Sequence, residues 1–144
     1  MAHEGMVHAL REACRVLRPG GLLIDLRPIV SGPPVDVLGG DQVALAGRLD
    51  DSSDSADAAA CEEALRVAVE QGWLRPHETD AFSYSMYWDT TEEMLEYVTA
   101  HWGEVQVPED VVVRAQQLAD VAVRPVRIRI RLTMSIASYV RIGG

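Results

Sequence analysis

The sequence predicts an α/β fold with a mixed sheet, and three observations carry the prediction. A helix-period segment over residues 5–17 is followed at once by an almost unbroken apolar run, Leu22-Leu23-Ile24-Asp25-Leu26. A short apolar run after a helix is the pattern of a strand buried on both faces of a parallel sheet. Helix-period and strand-period segments then alternate, and the chain closes on its longest alternating stretch, Val126 to Val140. Such a half-polar last strand is expected to run antiparallel, at or near a sheet edge.

Each element has its own local reason. Met6, Ala9, Leu10, Ala13, Cys14 and Leu17 recur at three- and four-residue steps, which places them on one face of a helix. Arg18-Pro19-Gly20-Gly21 stops it, because Pro bars continuation and Gly tolerates the positive φ of a helix-ending turn. After a Pro/Gly loop, Val35–Val37 and Val43–Leu45 flank Gly39-Gly40-Asp41, the pattern of a β-hairpin. Asp50-Asp51-Ser52-Ser53-Asp54-Ser55 lacks the Gly and the distal Glu of a calcium loop and leads into a helix over 58–71, so it is read as capping. Over 79–88, Phe82, Tyr84, Met86 and Trp88 alternate with Ala81, Ser83, Ser85 and Tyr87, and the first set is assigned to the core. Thr90 and Glu93 have capping-box spacing before a helix whose apolar stripe is Met94, Leu95, Val98 and Trp102. Pro108-Glu109-Asp110 opens a further helix to about Val121. In the last strand Val126, Ile128, Ile130, Leu132, Met134 and Ile136 face one side, and Arg127, Arg129, Arg131, Thr133 and Ser135 the other.

Composition narrows the function. With 144 residues, 48% hydrophobic and 24% charged, the chain is read as a single domain, 1–144, around one core. Its net charge of −9 argues against nucleic acid or an anionic membrane surface as the main partner. All thirteen basic residues are Arg, and both Lys and Asn are absent, as in proteins of GC-rich bacterial genomes. Chemistry that needs a Schiff-base lysine, a P-loop lysine or a catalytic asparagine is therefore excluded. Cys14 and Cys61 form no CxxC pair and have no clustered His, so neither a disulfide framework nor a metal site is expected. The start of the chain lacks the pattern of a secretory signal, and no apolar window spans a membrane, so a cytoplasmic protein is expected.

One stretch is more specific. Ala9-Leu10-Arg11-Glu12-Ala13-Cys14-Arg15-Val16-Leu17-Arg18-Pro19-Gly20-Gly21-Leu22-Leu23-Ile24-Asp25 resembles class I S-adenosylmethionine-dependent methyltransferases. In that family a helix ending in a hydrophobic-Leu-Arg/Lys-Pro-Gly-Gly turn runs into the fifth strand of a seven-stranded sheet. The segments 58–71, 79–88 and 126–140 resemble the family's last helix, its sixth strand and its antiparallel seventh strand, with a hairpin and extra helices added. The resemblance implies a partial Rossmann-like sheet and S-adenosylmethionine as the cofactor of the complete family fold. The family's cofactor half carries a Gly-rich loop after its first strand, and the Gly pairs at 20–21, 39–40 and 143–144 make no G-x-G-x-G. The chain is thus expected to correspond to the C-terminal half, to lack the cofactor-binding half and not to bind S-adenosylmethionine alone.

The resemblance also places the candidates. Ligands in the family sit beyond the carboxyl ends of the parallel strands, a zone that here would hold Asp25, Arg27 and His3. Arg27 is a substrate-pocket candidate able to orient an acidic acceptor, its plainer role being that of a salt-bridged strand end. His3 is a candidate base, its plainer role being a residue of an unanchored terminus. Tyr87, opposite the apolar set of its strand, is the aromatic expected at a substrate. Pro19, Gly20 and Gly21 are assigned to the turn and not to the cofactor. The Arg127, Arg129 and Arg131 stripe is expected to pair with acids of its own or a neighbouring chain. A different class of function is a non-catalytic dimerisation or interaction module: a buried-type strand over 22–26 without its parallel neighbour exposes an edge, which a second copy or a missing N-terminal half would cover.

Overall fold

The helix stripe, the turn and the apolar run predicted at the start of the chain fold as a continuous unit in the computed structural model, which describes residues 3–143 and, of residue 3, the backbone only. The elements in order are α1 (His3–Val16), β1 (Leu22–Pro28), β2 (Pro34–Gly39), β3 (Gln42–Arg48), α2 (Ser55–Glu70), β4 (Leu74–Trp88), α3 (Thr91–His101), α4 (Glu109–Val121) and β5 (Val126–Arg141). A single 3₁₀ turn, Ser52–Asp54, precedes α2. At α3 the Thr90 hydroxyl accepts from the Glu93 amide at 3.1 Å while the Glu93 carboxylate accepts from the Asp89 amide at 3.2 Å, a near-reciprocal cap.

Five strands form one sheet, and every pairing with a described register is antiparallel. The last strand is antiparallel, as its alternation predicts, but it lies inside the sheet and not near an edge. At sixteen residues β5 is long enough to pair β2 along Val126–Ile130 and β1 along Met134–Val140, and it also pairs β4. In the second unit Ile128, Ile130 and Leu132 pack into the core while Arg127, Arg129 and Arg131 stand on the opposite face of the strand, a half-polar pattern that mimics an edge. No parallel pair occurs among the described residues, so the parallel setting expected for β1 is not among the pairings of this sheet. Burial on both faces of β1 is also overturned: the strand alternates, and Leu22, Ile24 and Leu26 are 52%, 54% and 52% exposed.

The chain divides into two compact units that share the long strands β4 and β5. The first holds α1, β1, α2, β4 as far as Phe82 and β5 from Met134 onward. Its core is Cys14, Leu65, Ala68 and Leu74, with Leu10, Leu23, Trp73 and Tyr139 packed around them. The second runs over Ile29–Asp54 and Ser83–Thr133. There one sheet face, with Val35, Val37, Ile128, Ile130 and Leu132, packs on Met94 and Val98 of α3 and on Val111 and Ala115 of α4. Met86 and Trp88 join this core as their alternation predicts, whereas Phe82 and Tyr84 remain 45% and 43% exposed.

Candidate functional site

In the first unit, α1 ends on the Pro-Gly-Gly turn. Gly20 takes a φ of +80°, and its amide donates to the Arg141 carbonyl at 2.9 Å. A Cβ on Gly21 would lie 2.8 Å from the Arg18 carbonyl oxygen. Arg141 closes the turn by donating from its backbone to Gly21 O at 2.8 Å and from Nη1 to Leu17 O at 2.6 Å. Pro19 lies against Gly143. This network fixes the entry into β1 and offers no free amide cradle to a ligand.

At the far end of β1, Arg27 is held by Asp25, with Nε 3.1 Å and 2.9 Å from the two carboxylate oxygens, and donates from Nη1 to Ala58 O at 3.1 Å. Both side chains are mostly buried, and beside them burial pushes the Tyr139 hydroxyl up, with Asp25 adding to the rise and Arg27 opposing it. His3 lies outside the residues whose side chains are described. An apolar groove of about 330 Å³ opens between α1, α2 and β1, lined by Met6, Leu10, Leu23, Cys61 and Leu65 with Asp25 at its rim. Burial raises the Cys14 thiol against the pull of Arg141, which keeps it a packing residue.

Tyr87 stands elsewhere, in the second unit, beside a charged cluster. Its ring lies under the Arg127 guanidinium, 4.2 Å from the centroid. Next along β5, Arg129 donates from Nε to Asp36 Oδ2 at 2.9 Å, and Arg131 donates from Nε to the same oxygen at 2.7 Å and from Nη2 to Oδ1 at 3.3 Å. Asp36 is 1% exposed. Burial pushes its carboxyl up, and the hydrogen bonds from Arg131 and Arg129 outweigh that, so it titrates below its ordinary value. Burial pulls Arg129 down, and its own hydrogen bond to Asp36, with the Tyr87 hydroxyl, outweighs that and raises it.

Asp36 is the residue that sequence reasoning missed. Its signal is present in the sequence: a carboxylate set between Val35 and Val37 in a strand, and a one-sided Arg stripe expected to find acids without any particular one being named. Alternation along β2 turns the two Val toward the helices and Asp36 to the opposite face beneath the guanidiniums, so three consecutive residues are buried. Register then sets Asp36 directly opposite Arg129. The pairing expected for the stripe is therefore met within the chain for Arg129 and Arg131, while Arg127 has no carboxylate partner among the described residues.

Gly20 and Gly21 precede a strand, Gly40 turns the β2–β3 hairpin at φ +57°, and Gly39 is packed so that a Cβ would meet the Ala122 Cβ at 2.7 Å. None follows a strand into a helix, the arrangement that lets backbone amides approach an anion. No group of three metal-ligating side chains occurs among the described residues, and no helix there is long and apolar enough to cross a membrane. No family model matches the chain, and no curated protein and no solved structure is significantly similar to it.

Proposed function

We propose that this chain forms the C-terminal part of a class I S-adenosylmethionine-dependent methyltransferase, and that the open edge of β1 receives the sheet of the cofactor-binding half. The observation that carries the reading is the state of β1. Its only described partner is β5, and its outward side chains Leu22, Ile24 and Leu26 are about half exposed, although α1 and α2 lie on its other side with Leu23 in their core. A strand with three large apolar side chains on an open face is built for a covering layer. The Leu17-to-Gly21 turn leading into β1 supports it, as does the antiparallel pairing of β1 with β5, the strand that resembles the family's antiparallel seventh. On this reading Arg27 is engaged by Asp25 and Ala58, and cofactor binding belongs wholly to the other half.

Calorimetric titration with S-adenosylmethionine tests it. The chain alone is expected to be silent, and a chain extended by the in-frame codons upstream of Met1 is expected to bind at about micromolar Kd. Binding by the chain alone, or an upstream sequence without a strand followed by G-x-G-x-G, overturns the reading. The same open edge favours a second reading, a self-association module in which another copy covers β1. A stop codon just upstream together with a stable dimer on sizing supports that one, and a monodisperse monomer refutes it.

A further inference from the structure

Within the first unit a cavity of about 310 Å³ opens between the second half of α1, the turn after α2 and the end of β5. Arg11, Cys14 and Arg15 reach it from one face of α1, and its other walls hold Trp73 and Arg141. Backbone bonds set those walls: the Ile142 amide donates to Trp73 O at 3.0 Å and the Trp73 amide to Ala68 O at 3.0 Å. Each guanidinium is held with N–H groups to spare. Arg11 lies over the Trp73 ring, 5.8 Å from its centroid, Arg15 pairs with Glu12 at 2.8 Å, and Arg141 is anchored through Nη1 on Leu17 O at 2.6 Å. No buried side-chain nitrogen lacks a hydrogen-bond partner among the described residues, so Nε and Nη2 of Arg141, which have none, reach solvent. No described carboxylate lines the cavity, and neither Arg11 nor Arg141 pairs with one among the described residues. Three guanidiniums and one Glu leave a local excess of two positive charges in a chain whose net charge is −9. The helix dipole explains Arg15 in the last turn of α1, and the Leu17 carbonyl explains Nη1 of Arg141. Neither calls for the exposed Arg11, which stands four positions before Arg15 on the same face, a like-charge spacing that destabilises a helix.

We infer that this cavity binds a phosphoryl group, as inorganic phosphate or as the end of a phosphate monoester, between Arg11 and Arg141, with Arg15 adding to the positive field. A phosphoryl dianion matches the excess of two charges, and its several oxygens accept from guanidiniums that approach from different elements, which a single carboxylate does less well. The volume lies at the lower end of small-ligand pockets. Gly72 keeps the site open: it takes a φ of +76°, and a Cβ there would meet no heavy atom within 4 Å. The inference goes beyond the methyltransferase reading, because none of the cavity's residues belongs to β1, whose open edge carries that reading.

The test uses the intact chain with ¹⁵N-labelled Arg and follows the Nε–Hε resonances at constant ionic strength during titration with phosphate, phenyl phosphate and, separately, acetate. Saturable shifts of Arg11 and Arg141 are expected with the phosphoryl probes at about millimolar Kd, and acetate is expected to bind about tenfold more weakly. The tighter of the two phosphoryl probes identifies the source as the free ion or a monoester. Gly72→Asp sets a carboxylate at the cavity and Gly72→Asn the same shape without the charge, both residues tolerating positive φ. The Asp variant is expected to bind phosphate about tenfold more weakly than the Asn variant. Arg11→Gln, at an exposed position where Gln is a good helix former, is expected to weaken phosphate by about tenfold and serves even if the Gly72 variants fail to fold. Equal affinity for phosphate and acetate overturns the inference, as do equal binding by the two Gly72 variants, unchanged binding in Arg11→Gln and shifts confined to Arg residues outside the cavity.

Discussion

Replacing Asp36 by Asn removes one buried charge and keeps the shape. Asp36 is 1% exposed and pairs with two guanidiniums, of which Arg129 is 20% exposed and Arg131 48% exposed. Breaking a fully buried pair costs about 3–5 kcal/mol, and the half-exposed Arg131 recovers part of its hydration, so the lower end, about 3 kcal/mol, is expected. With a urea dependence of about 2 kcal/mol per molar, the unfolding midpoint should fall by about 1.5 M at pH 7. The effect has a pH signature. The folded-state carboxyl titrates below its ordinary 3.8, so the ion pairs stabilise the fold above that value and lose their contribution as pH falls through the folded-state pKa. The difference between the two proteins should therefore be full at pH 6–7 and shrink below about pH 4. A midpoint within about 0.3 M of the unaltered chain at pH 7, or a difference independent of pH, would refute the role given to Asp36.

The other predictions are more local. Gly20→Ala places a side chain at φ +80° and should lower stability by about 1–2 kcal/mol, seen as a fall of about 3–6 °C in Tm. Thr90→Ala removes the acceptor of the Glu93 amide and should cost about 1 kcal/mol, with faster amide exchange in the first turn of α3. Ile24→Lys, at a side chain 54% exposed, should change stability by less than about 0.5 kcal/mol while reducing self-association on sizing. A loss above about 2 kcal/mol would mean that this face of β1 is covered within the chain.

Local chemistry was legible because it acts over a few residues. Thr90 with Glu93, Pro108 before α4, the Pro-Gly-Gly turn after α1 and the two-residue turn of the β2–β3 hairpin each stand where their spacing puts them. Sheet order was not legible, because strand pairing is decided by contacts across most of the chain. Periodicity reports the covered face of β5 over Val126–Leu132, but beyond it Ala137 is buried and Tyr139 packs in the first unit's core, on the opposite parity to Met134 and Ile136, and the alternation says nothing of how many strands flank β5. The same gap hid Asp36: its partners lie 93 and 95 positions away, and only the register of β2 on β5 brings them together. The strand beginning at Leu74 was also shortened in the reading, since Arg75, Pro76, His77 and Glu78 carry no strand signal and are held there by β5, with Ser138 Oγ 3.2 Å from both His77 Nδ1 and the Glu78 amide.

The run Leu22–Leu26 is where sequence and structure disagree in the most useful way. Five residues with four large apolar side chains describe a strand buried on both sides, yet the helices α1 and α2 account for only one side, through Leu23. An antiparallel strand with one solvated face ordinarily places polar residues there, as β5 does with Arg127, Arg129 and Arg131. β1 does not: Leu22, Ile24 and Leu26 occupy that face in one unbroken row. Fully burying a side chain of this size is worth about 1.5–3 kcal/mol, so three half-exposed ones leave a few kcal/mol of burial unrealised. The contrast between the two strands within one sheet sets the expectation for β1 apart from ordinary surface apolarity, and it makes Ile24→Lys informative in both directions. If β1 is an interface, the charge abolishes docking and leaves the chain itself folded.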